Sequence, residues 1–137
     1  MKRSKALSAL AAIAATAAVG LAPSPAYANP TTPFNLYSGL VGGEVRGTLT
    51  WYNRSVGIQG EVCDSAGPDY TQVQFAFYQG GTPLADDGYP PQTRAVTAGC
   101  KPFNFTQSGP SGGITDIRLK LFSASNSSPT YWIYRPS

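Results

Sequence analysis

From Glu44 onward, apolar and polar residues alternate with a period of two. Val45, Gly47, Leu49 and Trp51 interleave with Glu44, Arg46, Thr48, Thr50 and Tyr52, the pattern of a half-buried strand. After Asn53-Arg54, which suits a turn, Val56, Ile58, Gly60 and Val62 interleave with Ser55, Gln59 and Glu61, so the two segments form a hairpin. The run Asp64-Ser65-Ala66-Gly67-Pro68-Asp69 is dense in turn residues. Tyr70–Gln79 then places Val73, Phe75 and Phe77 on one face and Gln72, Gln74 and Tyr78 on the other. A long loop, Gly80–Pro91, precedes four more strands: Gln92–Thr97, Phe103–Thr106, Ile114–Phe122 and Thr130–Tyr134. No segment carries an apolar stripe at helical spacing. Seven short strands separated by Gly, Pro, Asn and Asp predict an all-β domain over 44–137, an antiparallel β-sandwich of about seven strands.

Residues 29–43 break the pattern and read as an extended arm. Pro30 and Pro33 disfavour helix, and Gly42-Gly43 supplies a hinge before the first clear strand. The arm nevertheless carries Phe34, Leu36, Tyr37, Leu40 and Val41, too apolar for a plain solvated linker. Two readings stand: it adds as a strand to another protein's sheet, or it folds back as an edge strand on its own domain. Ahead of it, Lys2, Arg3 and Lys5 precede an Ala-rich apolar run, and Ala26-Tyr27-Ala28 forms a small-x-small site. Residues 1–28 therefore read as a cleaved secretory signal peptide, which places the protein outside the cell with no membrane anchor.

Cleavage changes the electrostatic picture. Three of the ten Lys/Arg lie in the leader and none of the seven Asp/Glu does, so seven of each remain and the net charge falls to zero. Nucleic-acid binding, which needs clustered positive charge, loses its support. Export also decides the role of Cys63 and Cys100, the only cysteines. In an oxidising compartment they predict one disulfide, contributing about 4 kcal/mol on the chain-entropy model.

Candidate chemistry is sparse. The chain has no His, which removes Ser-His-Asp and Cys-His nucleophile systems and most zinc sites. Glu61, read as lying opposite Glu44 across the first hairpin, is the one carboxylate pair worth testing against the spacing a glycosidase needs. Asp86-Asp87-Gly88 in the long loop lacks the wider ligand spacing of a calcium loop. No catalytic residue, metal or cofactor is assigned. The aromatics Tyr131, Trp132 and Tyr134 crowd the last strand. Either they close the core, or one face presents flat rings to a sugar or a protein.

Three stretches carry a resemblance: Gly47-Thr48-Leu49-Thr50-Trp51-Tyr52-Asn53-Arg54-Ser55-Val56, Val73-Gln74-Phe75-Ala76-Phe77-Tyr78 and Gly113-Ile114-Thr115-Asp116-Ile117-Arg118. Together they resemble small secreted β-sandwich proteins of Streptomyces and related actinobacteria, in particular the B component of umbrella toxin particles. The likeness covers about residues 44–122 and the preceding arm. It implies a non-enzymatic adaptor that joins a repeat-bearing toxin to a lectin-carrying component, with residues 29–43 as the segment inserted into the latter. Two rival functions stay open beside it. One is an inhibitor that offers Gly80–Pro91 to an extracellular hydrolase. The other is a carbohydrate-binding module using Tyr131, Trp132 and Tyr134.

Overall fold

The computed structural model describes residues 28–65 and 69–137. Apart from Ala28, the leader read from residues 1–28 lies outside the described residues. Two antiparallel sheets pack face to face, with one disulfide and no α-helix among the described residues. Nine strands form in chain order: β1 (Thr31–Ser38), β2 (Gly43–Trp51), β3 (Ser55–Asp64), β4 (Thr71–Gln79), β5 (Thr82–Pro83), β6 (Gln92–Val96), β7 (Gly99–Ser108), β8 (Asp116–Phe122) and β9 (Tyr131–Tyr134). Sheet A has the order β1-β2-β3-β7. In sheet B, β9 pairs β8 and β8 pairs β4, while β5 and β6 share the far side of β4. The alternation read in the sequence is the alternation of burial. Val45, Leu49 and Trp51 of β2 and Val56, Ile58 and Val62 of β3 face Val73, Phe75 and Phe77 of β4 and Ile117, Leu119 and Leu121 of β8.

Residues 29–43 are not a free arm. β1 pairs along its whole length with β2, from Thr31 opposite Thr50 to Ser38 opposite Gly43. Its even-numbered side chains turn inward, and Phe34 is buried to 4% exposure. Phe34 lies opposite Gly47, whose own partner on β3 is Gly60. The two glycines leave an inward-facing gap that the Phe34 ring fills before meeting Phe75 edge-on, with centroids 6.0 Å apart. An aromatic ring covering strand glycines restores the contact area their missing side chains give up. A second tie is polar: buried Trp51 donates its indole N–H to Thr32 Oγ1 at 2.9 Å, the partner such a donor requires. The sandwich thus begins at Thr31 rather than Glu44.

Prolines mark the sheet edges. The Tyr52 N–H donates to the Ser55 carbonyl and the Trp51 N–H to the Pro30 carbonyl, both at 2.9 Å. Because backbone groups alternate direction along a strand, these bonds fix the parity of sheet A. Odd-numbered residues of β1 and even-numbered residues of β7 turn their backbone groups away from the ladder. Pro33 and Pro102 occupy such positions, so neither removes a ladder bond, and each blunts an edge against further pairing. In sheet B the Leu84 N–H donates to the Phe77 carbonyl at 3.0 Å, which turns Pro83 of β5 outward by the same logic.

Two expectations for the middle of the chain are corrected. Cys100, which the strand bounds 92–97 and 103–106 leave in a loop, lies in β7 directly opposite Cys63 of β3, with Cα atoms 4.0 Å apart. The parity makes this a non-hydrogen-bonded pair, the type that brings facing side chains closest. The bridge closes a segment of 37 residues that crosses to sheet B and returns, so it locks a connection between the layers. The Gly80–Pro91 segment is likewise only partly a loop. Gly80 and Gly81, at φ 56° and 81°, make the two-residue turn that such positive angles favour, and β5 runs back along β4. Leu84 then plugs the core at 2% exposure before the chain swings out and returns as β6.

Candidate functional site

The outer face of sheet A is polar and largely self-satisfied. The hairpin register sets Arg46 opposite Glu61, and Glu44 opposite Cys63, which corrects the expected pairing of Glu61 with Glu44. Arg46 bridges the two acids: Nε donates to Glu61 Oε1 at 2.7 Å and Nη1 to Glu44 Oε1 at 3.1 Å. The hydrogen bond to Glu61 and the charges of both acids hold the guanidinium protonated beyond its ordinary range. A carboxylate pair bridged by a shared arginine on an open sheet is not arranged as an acid and a base flanking a cleft. Beside it, Phe34, Gly47, Gly60, Gln59 and Pro102 line an open depression of about 440 Å³. Glu61 also lies near both cysteines, but the sulfurs are bonded to each other and offer no thiolate to a metal. Asp86 and Asp87 occupy an exposed single turn ended by Gly88 in the left-handed region.

The five apolar residues of the N-terminal segment divide by side. Phe34 and Val41 are core, and Leu36 is half-buried against it. Tyr37 and Leu40 stand out at 66% and 71% exposure, the largest values among the exposed large hydrophobics. The turn that presents them is well braced. The Gly42 N–H donates to the Ser38 carbonyl at 2.8 Å, and both the N–H and the hydroxyl of Ser65 donate to the Gly42 carbonyl. Leu40 sits at the tip while Val41 is tucked back, so this corner is a fixed apolar protrusion.

The C-terminal aromatics also divide. Tyr131 shares the inward-facing parity of buried Ile133, at the margin of the core, and is 39% exposed. Trp132 and Tyr134 point to the outer face of sheet B at 38% and 63% exposure, with near-parallel rings 6.4 Å apart at 14°. Tyr78 of β4, buried to 8%, presses edge-on against Trp132 with centroids 4.8 Å apart. It props the indole from below, which fixes the ring that solvent sees. Tyr78 was legible on the polar-side parity of β4, but its contact with Trp132 depends on β8 lying between them. Arg118 of β8 fills that position, opposite Ala76 on one side and Trp132 on the other, with its guanidinium 5.7 Å from the Tyr78 ring centre. Sequence reading missed Arg118 because alternation alone makes it one more solvated charge.

The two exposed groups lie at opposite ends and on opposite faces of the domain. Tyr37 pairs with Glu44 at the start of β2. Tyr134 precedes Arg135, which donates to the Tyr52 carbonyl at 2.8 Å just beyond the end of β2. Nine strand residues at about 3.4 Å each separate them, roughly 30 Å. No family model, curated protein or solved structure matches the chain. The functional reading therefore rests on this geometry and on the sequence.

Proposed function

We propose that the protein is a secreted, non-enzymatic adaptor that bridges components of an extracellular assembly. Its N-terminal corner takes one partner and its globular body another. The observation that carries this reading is the pair of exposed apolar groups, Tyr37 with Leu40 and Trp132 with Tyr134, set a domain's length apart on opposite faces. Large rings and apolar tips held rigid on a folded surface lose little conformational freedom on binding and supply the central contacts of protein interfaces. Two such groups too far apart for one small contact suit a molecule that holds two partners at once. The umbrella-toxin resemblance points the same way, with a toxin and a lectin-carrying component as the two ends of the bridge.

The role of the N-terminal segment changes in one respect. Since β1 is built into sheet A, only Tyr37 and Leu40 are offered outward, and removing residues 29–43 would strip the core instead of freeing it from a partner. The test uses point variants. Affinity capture from culture supernatant with the intact chain should retain at least two other secreted proteins. Tyr37→Ser with Leu40→Ser should lose one of them, and Trp132→Ala with Tyr134→Ala the other, each by tenfold or more, about 1.4 kcal/mol. Loss of the same protein by both variants, or of none, contradicts the two-ended reading. Retention of a single hydrolase, lost on changing Ala85–Asp87 instead, would establish the inhibitor.

A further inference from the structure

The outer face of sheet B carries two cations that no carboxylate neutralises. Arg46 on the opposite face has two acids within reach, whereas neither Arg118 nor Lys120 forms an ion pair among the described residues. Arg118 Nε is buried without a hydrogen-bond acceptor. Lys120 lies 5.5 Å over the Phe122 ring. Asp116, the acid on the same face of β8, accepts the Gly81 N–H at 2.9 Å and pairs with neither cation, so the outer side of β8 keeps one net positive charge. Unpaired cations on a sheet whose chain is otherwise charge-balanced constitute a local positive site.

The neighbours of these cations are those a sugar requires. On one side stand the near-parallel rings of Trp132 and Tyr134. On the other, Gln74 lies opposite Lys120 on β8 and opposite Thr93 on β6, and neither Gln74 nor Thr93 commits its side chain to a hydrogen bond within the described residues. The face thus runs from rings through cations to an amide and a hydroxyl. Its aliphatic side chains are small, Ala76, Ala95 and Pro83, with the Phe122 ring beside Lys120, so beyond its rings the face is chiefly polar.

We infer that this face binds an acidic saccharide. One sugar ring rests on Trp132 and Tyr134, its carboxylate meets Arg118 and Lys120, and the hydroxyls of neighbouring residues in the saccharide reach Gln74 and Thr93, about two and three strand spacings from the rings. Charge-assisted bonds to the acid group supply selectivity over neutral sugars, while the rings supply sequence-tolerant contact area. The inference rests on reading this face as the body's contact surface and names the chemistry it grips, whether a glycoprotein partner or a free polysaccharide carries it.

Titration calorimetry on the intact chain uses oligogalacturonate, alginate and hyaluronan, with methyl-esterified oligogalacturonate as the uncharged control. At least one acidic probe should bind, weakening as salt rises, and the ester should not. Arg118→Gln should weaken binding by about tenfold or more. Lys120→Gln, on a half-exposed side chain whose one contact of note is the Phe122 ring, should weaken it several-fold while the protein stays folded. If binding is seen, competition with the acidic probe in the supernatant capture distinguishes a glycoprotein partner, which is displaced, from a free polysaccharide, which leaves the captured proteins in place. Equal binding of the ester overturns the inference, as does binding of none of the acids, or of a glutamate-rich peptide alone. In the last two cases a protein still lost by Trp132→Ala with Tyr134→Ala leaves the adaptor reading standing. If an acid binds but no protein is lost by either pair of substitutions, the adaptor reading fails and the saccharide site remains.

Discussion

Phe34→Ala is expected to destabilise the domain by about 4 kcal/mol, the range for removing a fully packed ring from a core. Phe34 fills the space over Gly47 and Gly60 and supports Phe75, and Phe75 in turn meets Phe103 and Phe105 edge-on at 5.6 and 5.7 Å. Truncation therefore opens a cavity at one end of a four-ring cluster centred on Phe75. The adjoining glycines have no side chains to relax into it. Urea unfolding measures the loss, with Tyr37→Ala as the control three residues along. Tyr37 is 66% exposed, and its change should fall within about 0.5 kcal/mol. Equal, small effects at the two positions would mean that the segment does not dock on β2 in solution, and the free-arm reading would return.

Gly60→Ala is expected to cost more than about 4 kcal/mol, a large share of the stability of a domain of this size. The added methyl would drive into the Arg46 carbonyl oxygen, with the Gly47 Cα only 2.8 Å away. Both are backbone atoms of the paired strand, so no rotamer change relieves the clash. Gly60 is not among the glycines of positive φ, so the cost is steric and not conformational. Gly57→Ala on the same strand is the comparison. Its nearest neighbour is Tyr52 Cε2 at 3.2 Å, part of an exposed side chain that can swing aside, and about 1 kcal/mol or less is expected. Thermal unfolding of the two variants should separate them by tens of degrees in apparent Tm, given about 4–8 °C per kcal/mol for a domain of about this size.

Much of this architecture was legible before any coordinates because strand alternation is a strong, local signal. The core strands and the hairpin about Asn53-Arg54 follow from it, as does the placing of Trp132 and Tyr131 on opposite faces. Which of those faces meets solvent does not, and the cysteine pairing comes from there being only two cysteines in an exported chain. What was misread turned on prolines and on counting. Pro30, Pro33 and the Gly42-Gly43 pair set residues 29–43 apart as an arm, with docking as an edge strand kept as one of two readings, and the fifth strand starts only at Phe103 on that reading, past Pro102 and Cys100. Pro33 and Pro102 in fact sit at edge positions that need no donor. Thr32, Phe34, Leu36 and Ser38 do alternate with Thr31, Pro33, Asn35 and Tyr37, so the strand was present in the sequence beneath the proline. The two-residue loop at Asn53-Arg54 likewise forces Arg46 opposite Glu61, and the paired acids dissolve once that register is counted. The cluster of Arg118, Tyr78 and Trp132 could not be read this way, because it depends on β4, β8 and β9 being neighbours, and strand order is not a local property.

As a bridge, one molecule must hold two different partners at once. Native mass spectrometry of the complexes captured from supernatant reads this directly, as the mass of the species that contains a single copy of the chain. A species with both captured proteins is expected, and only one of the two in the species formed by each double variant. If the two proteins are found only in separate complexes and displace each other when mixed, they share one surface, and the protein is not a bridge.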